Sequence, residues 1–139
     1  FDQGLGDIFS VRVAGNVADE DALGGLEYAT KLAGARLIVV LGHTHCGAVK
    51  GACDGEKLGN LTGLLARMKP ALDAVPASVQ PRDSKNDAFV AQVARANVRL
   101  SMRTIREKSP VIAALEKSGA VRIVGAIYDV ETGRAEFLE

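Results

Sequence analysis

The residues Leu37–Gly47, LIVVLGHTHCG, set the strongest constraint on what this chain can become. Five apolar residues run without interruption from Leu37 to Leu41, and three of them are β-branched. A run of that length and composition suits a strand buried on both faces, as in a parallel sheet covered by helices. Gly42 ends the run, and His43 and Cys46 follow it at once. In open α/β sheets, ligands and chemistry collect beyond the carboxyl ends of the strands. An imidazole and a thiol delivered there, three residues apart, can converge on one metal ion.

Spacing alone makes H-x2-C a weak signal. A histidine at a strand end often serves only as a hydrogen-bonded structural residue, and a lone cysteine as a small buried hydrophobe. Position strengthens the metal reading, because Gly42 and Gly47 flank the pair and let backbone approach a ligand closely. Cys53 has three readings: a further ligand, a disulfide partner of Cys46, or an inert helix cysteine. The last is preferred, because GAVKGAC continues a helical pattern that carries Cys53 away. His45 is either a proton relay or an ordinary surface histidine.

The flanking sequence predicts the elements of an α/β domain. Phe9–Val13 reads as a short strand entered from the Gly-rich turn QGLGD. Asp19, Glu20 and Asp21 place negative charge at the start of a helix that runs to about Ala33 and stops at Gly34. Gly24 and Gly25 within it imply close packing. GAVKGAC suggests a short helix whose amino end faces the presumed metal. Asn60 is the expected cap of a helix carrying Leu61, Leu64, Leu65, Met68 and Leu72, bent by Pro70. Residues 75–85 read as a loop. Asp87–Lys108 is a long amphipathic helix, and Ser109-Pro110 opens another that closes at Gly119. Val121–Tyr128 is a further strand, and Ala135–Leu138 a last one on an antiparallel edge. The expected fold is α/β, three-layered, with a mostly parallel β-sheet flanked by helices.

Composition narrows the function. The 139 residues make one domain, 47% apolar, with 17 basic and 17 acidic side chains and a formal charge of zero. That balance gives no electrostatic ground for binding nucleic acid or an acidic membrane surface. Arg95, Arg99, Arg103 and Arg106 fall at helical spacing and read as a solvated face. No run approaches the ~20 apolar residues of a membrane span. Two cysteines are too few for a disulfide scaffold.

Read in order, the motifs resemble those of the β-class carbonic anhydrases over nearly the whole chain. GLGDIFSVRVAGN is similar to that family's G-D-x-F-x-x-R-x-A-G-N segment. LEYATKLAGARLIVVLGHTHCGAVKGA resembles its helix, strand and second zinc motif, G-H-x-x-C-G. Ala96-Asn97-Val98-Arg99, then SPVIAALEKSG and VRIVGAIYDVETGRAEFL, resemble the family's later helices and last strands. The resemblance implies reversible hydration of CO2 to bicarbonate and a proton by zinc-bound hydroxide. Zinc is the implied cofactor, and His43 and Cys46 match two of its three protein ligands. The third, a cysteine, belongs in the family to a C-x-D-x-R motif, and no such motif occurs in these 139 residues. The Asp-Arg dyad that gates the metal's fourth position goes with it.

In the family's fold the strand bearing that motif lies between those matching Phe9–Val13 and Leu37–Leu41. The chain is therefore expected to be N-terminally incomplete, and its activity alone is in doubt. The resemblance further implies that Gly47 holds a bicarbonate oxygen through its backbone N–H and that Phe9 and Tyr28 line the CO2 pocket. Ordinary core packing is the competing reading for both rings. Arg12 and Tyr128 match a second bicarbonate pocket found in some members, without the tryptophan that completes it. A homodimer or higher even-numbered oligomer is implied, with a cytoplasmic setting for reduced thiol ligands, or a periplasmic one if a leader is removed. Two alternatives keep the fold: a carbon disulfide or carbonyl sulfide hydrolase, and a catalytically inert dimerisation module.

Overall fold

A computed structural model of the chain describes residues 1–138. Its centre is a three-stranded mixed sheet ordered β1 (Leu37–His43), β2 (Arg122–Tyr128) and β3 (Ala135–Leu138). β1 and β2 run parallel in an unbroken register from Leu37 opposite Arg122 to His43 opposite Tyr128. β3 returns antiparallel on the outer edge, with Gly125 opposite Leu138. The short turn Asp129–Gly133, closed by two backbone hydrogen bonds between its ends, makes that reversal. The α/β fold with helices against a mixed sheet is the expected one, and all three strands lie where the apolar runs place them.

The expected strand at Phe9–Val13 does not form. Val13 is extended, at φ −133° and ψ 143°, but the segment pairs with no strand among the described residues. A strand is defined by its ladder, and backbone polarity leaves an extended segment without one facing solvent. Ile8 and Phe9 are accordingly about half exposed. The central strand also departs from expectation. Only Ile38, Val40 and Gly42 of β1 are buried, while Leu37 and Leu41 are exposed. One face of β1 packs on a helix; its second edge and other face border an open cavity.

The helices follow the sequence closely. α1 (Glu20–Glu27) starts where Asp19 accepts a hydrogen bond from the Ala22 N–H at 2.9 Å, and Glu20 and Asp21 fill its first turn. It continues through a π-helical turn, Tyr28–Leu32, in which the Thr30 hydroxyl donates back to the Leu26 carbonyl. The close packing expected at Gly24–Gly25 occurs at Gly25, where a Cβ would stand 3.3 Å from Val11. α2 spans Gly47–Asp54.

The expected single helix bent at Pro70 is two, α3 (Gly59–Ala66) and α4 (Lys69–Ala74), because the proline sits in α4's first turn rather than inside one long helix. Asn60 does not cap α3; Leu58 holds that position, and its N–H donates to Thr62 Oγ1 instead. Arg82 orders the loop that follows, donating to the carbonyls of Leu72, Val75 and Pro76 while its guanidinium lies 4.6 Å from the Phe89 ring centre.

α5 (Asp87–Lys108) is the spine of the core, and α6 (Pro110–Lys117) follows after Ser109 caps it. Of the apolar face expected for α5, Phe89, Val90, Val93, Ala94 and Ile105 are buried and Ala96 and Leu100 half-buried; Val98 is buried as well. The helix approaches the sheet so closely that Cβ atoms on Gly42 or Gly125 would stand 2.7–2.8 Å from Val98. The arginine row is a solvated face with three of its four members paired: Arg95 meets Glu136, Arg103 meets Glu107, and Arg106 meets Glu116, while Arg99 is exposed. The Arg106 guanidinium holds the Glu116 carboxyl below its usual range. No helix among the described residues is long and apolar enough to cross a membrane.

Candidate metal centre

β1 ends at His43, and the chain then turns sharply into α2. The turn is stapled to the neighbouring strand end: the Thr44 N–H donates to the Tyr128 carbonyl at 2.9 Å, and the Val130 N–H donates to Thr44 Oγ1 at 3.1 Å. His45 takes a left-handed φ of 56°, which lets two residues, Thr44 and His45, turn the chain between His43 and Cys46. The ring nitrogen Nδ1 of His43 lies 2.8 Å from the Thr44 carbonyl oxygen. A carbonyl only accepts, so that nitrogen carries the proton, and a neutral ring keeps its lone pair on Nε2. Second-sphere contacts of this kind set the tautomer of metal-binding histidines.

Cys46 is 7% exposed and stands at the N-cap of α2 without using its sulfur as a cap. The first hydrogen bond of that helix runs from the Lys50 N–H to the Cys46 carbonyl at 3.0 Å. The N–H groups of Gly47, Ala48 and Val49 therefore have no carbonyl within the helix, and they carry the positive end of its dipole. His43, Cys46 and Gly47 all line one cavity of about 1280 Å³, together with Phe9, Arg12 and Tyr128.

Phe9 and Tyr28 are not core residues. They are 49% and 55% exposed, with ring centres 6.0 Å apart and planes tilted by 41°. Phe9 lines the cavity; Tyr28 packs on Phe9 and is not among the lining residues. His45 points its Nε2 at Glu131, 3.1 Å away, on an exposed surface. Asp129 beside it has its carboxyl lowered by the backbone N–H groups of Glu131 and Thr132. Cys53 lies about 10 Å along α2 from Cys46 at the helical rise. It is buried, and burial together with neighbouring Asp54 pushes its thiol up to about 11.

Sequence reasoning missed the polar floor of the site. Buried Asn97 of α5 donates to the Gly15 carbonyl at 2.6 Å, and Ser101 one turn on donates to the Asn16 carbonyl at 2.8 Å. Asn16 donates in return to Ser101 at 3.2 Å. These bonds hold the 3₁₀ turn Ala14–Asn16, where Gly15 and Asn16 both take positive φ. The signal was present in Ala14-Gly15-Asn16, a glycine-asparagine pair of the kind that tolerates left-handed backbone, and in an asparagine on an otherwise apolar helix face.

A catalytic zinc takes three protein donors of nitrogen, sulfur or oxygen and leaves one position to water. An imidazole with Nε2 available and a cysteine at a helix N-terminus are the right chemistry for two of them. No group of three or more His, Cys, Asp or Glu side chains among the described residues is placed to hold a metal. The pair fits zinc in kind and falls one donor short in number.

Residues 1–135 match the carbonic anhydrase family. "Carbonic anhydrase 2" of Mycobacterium tuberculosis is 36% identical over 135 residues, which are 97% of this chain and 64% of that protein. The chain thus spans just under two thirds of that relative's length. The β-carbonic anhydrase CafA of Aspergillus fumigatus superposes with a TM-score of 0.84 at 30% identity, over 97% of this chain and 65% of that one. A tetrameric β-carbonic anhydrase of Sordaria macrospora gives 0.81 at 25% identity, covering 97% and 70%. The chain belongs to the β-carbonic anhydrase family.

Proposed function

We propose that this single domain builds one side of a carbonic anhydrase active site that interconverts CO2 and bicarbonate around a zinc ion. The observation that carries the reading is one cavity lined by the imidazole of His43, the thiol of Cys46 and the first residue of α2. His43 would hold the metal through Nε2, since Nδ1 is committed to the Thr44 carbonyl. Cys46 would hold it as a thiolate. Zinc, when held, supplies a Lewis acid that lets water act as a nucleophile near neutral pH.

The remaining tasks fall to the chain itself. Bicarbonate is an anion, and the backbone N–H groups at the start of α2, Gly47 first, are free to donate to one of its oxygens. CO2 is small and apolar, and the Phe9 ring supplies an apolar wall, propped by Tyr28. Leu5, Ile8, Phe9, Tyr28 and Leu32 are large apolar residues left exposed, which supports assembly into a dimer or larger even-numbered oligomer. The thiol donor favours a reducing compartment such as the cytoplasm.

Cobalt(II), a spectroscopic substitute for zinc, tests the ligand assignment. Added to the reduced chain, it is expected to give thiolate-to-cobalt absorption that His43→Ala and Cys46→Ala each abolish and Cys53→Ala leaves intact. Absorption that survives either substitution, or none at millimolar cobalt, refutes the assignment.

A further inference from the structure

The turn that carries His43 and Cys46 leans on a second, smaller turn, Ala14–Asn16. Two successive residues of that turn lie in the left-handed region, Gly15 at φ 69° and Asn16 at φ 43°. Glycine adopts such backbone freely, and asparagine does so at a cost that its short carboxamide can offset by bonding to nearby backbone. The carboxamide of Asn16 bonds elsewhere. It donates to Ser101 Oγ at 3.2 Å and accepts from Asn97 Nδ2 at 3.4 Å, both on α5 and 85 and 81 positions away in the chain. The same two side chains hold the backbone, Asn97 donating to the Gly15 carbonyl at 2.6 Å and Ser101 to the Asn16 carbonyl at 2.8 Å. Asn97 and Ser101 are 1% and 4% exposed, so breaking one of these bonds leaves a buried polar group without its partner.

The clamped turn lies beside both limbs of the metal-binding turn. On the strand limb, a Cβ built on Gly42 would stand 3.7 Å from Asn16 Oδ1, which places the carboxamide against the residue before His43. On the helix limb, a Cβ on Gly15 would stand 3.5 Å from the Cβ of Ala48 in the first turn of α2, and 2.8 Å from Met68 Sδ. Ala14, Gly15 and Asn16 line the same cavity as His43, Cys46 and Gly47. His43 ends β1 and Cys46 precedes α2, so the angle between strand and helix decides how imidazole and thiol approach each other. Backbone kept in a sparsely populated conformation by its surroundings is typical of sites whose geometry must be set in advance.

We infer that Asn16 is a positioning residue for the metal-binding turn. Clamped by Asn97 and Ser101, it fixes the angle between β1 and α2 and so the approach of His43 and Cys46 to one ion. The statement about the ion rests on the zinc reading above; the statement about the turn does not. Groups that orient metal ligands without touching the metal change its affinity by about 10–100-fold when removed. A merely structural role predicts something else, a loosening shared by the whole domain rather than one concentrated in the turn.

The test compares two variants. Asn16→Gly keeps the left-handed backbone and removes the carboxamide; Ser101→Ala keeps Asn16 and removes half of its clamp. Ile112→Val, a buried change in α6, is the control for general loosening. Hydrogen exchange of the metal-free chain is read at the two amides that close the turn, Thr44 on the Tyr128 carbonyl and Lys50 on the Cys46 carbonyl, with the Val93 amide in α5 as reference. Both variants are expected to speed Thr44 and Lys50 at least about tenfold relative to Val93, and to weaken cobalt binding at least about tenfold with a displaced thiolate band. Ile112→Val is expected to do neither. Should one variant not fold, the other decides by itself.

Exchange at Thr44 and Lys50 that stays unchanged, or rises only in step with Val93, in a folded variant overturns the proposal. Selective exchange with undiminished cobalt affinity overturns the part that concerns the ion. If the unaltered chain gives no thiolate-to-cobalt band, the zinc reading fails and that part falls with it, while the exchange result decides the role of Asn16 in the turn.

Discussion

Gly42 is the last buried residue of β1 before the turn that carries His43 and Cys46, and filling its missing side chain tests how tightly that turn is set. An added Cβ would stand 2.8 Å from Val98 Cγ2 and 2.9 Å from Ile127 Cδ1, with Asn16 Oδ1 at 3.7 Å. Both close contacts are to methyl groups packed in the core, with Val98 fully buried, so neither can swing into solvent. Overpacking of one methyl in such a place costs about 1–3 kcal/mol. The lower backbone entropy of alanine returns about 0.5–1 kcal/mol. Gly42→Ala is therefore expected to destabilise by about 0.5–2 kcal/mol, read from urea unfolding as a lower midpoint at an unchanged slope.

Val98→Ala removes one of the two obstructing methyls and alone costs about 1–3 kcal/mol through the void it leaves. In the double variant the new Cβ partly fills that void. The two changes should then be non-additive by at least about 0.5 kcal/mol in the stabilising direction. Additive costs, or a neutral Gly42→Ala, would refute the claim that β1 is pinned against α5 at this point.

Asn97→Ala removes the donor to the Gly15 carbonyl, a buried acceptor; a loss of about 1–3 kcal/mol is expected, measured in the same unfolding assay. Cys53 makes a pH prediction. An ordinary thiol ionises near 9.0, and in the folded chain burial first and Asp54 second hold the proton on to about 11. Between those values the unfolded chain has released a proton that the native chain keeps, so stability falls as pH rises from about 9 to 11. The comparison is with Cys53→Ala, whose stability should fall less over that window; identical profiles would show that the thiol is not withheld. Iodoacetamide at pH 8 should likewise leave Cys53 unmodified in the folded chain and modify it in denaturant.

The helices were legible because their signals are local. Asp19 and Ser109 carry the cap oxygen at the position the helix needs, and α5 carries its apolar stripe in its own sequence. The two failures among helices have local causes too. At Asn60 a side chain able to cap sat one residue inside the first turn, and Thr62 made the bond instead. At Pro70 the proline began a helix where a bend had been expected, and nothing in its immediate neighbours distinguishes the two uses. The polar floor escaped notice because its parts lie about 80 residues apart in sequence, and only the fold brings Asn97 and Ser101 under Gly15 and Asn16.

Strands differ, because a strand is a property of two segments. Leu37–Leu41 and Phe9–Val13 carry comparable β-forming sequences, yet only the first becomes a strand, since only it has a neighbour, β2, within hydrogen-bonding reach. The same circumstance explains why Leu37 and Leu41, apolar enough for a doubly buried strand, are exposed. Their sequence is written for a covered position that the described residues leave open. His43 ends that strand, with one edge paired to β2, and no group of three or more His, Cys, Asp or Glu side chains gathers at it among the described residues.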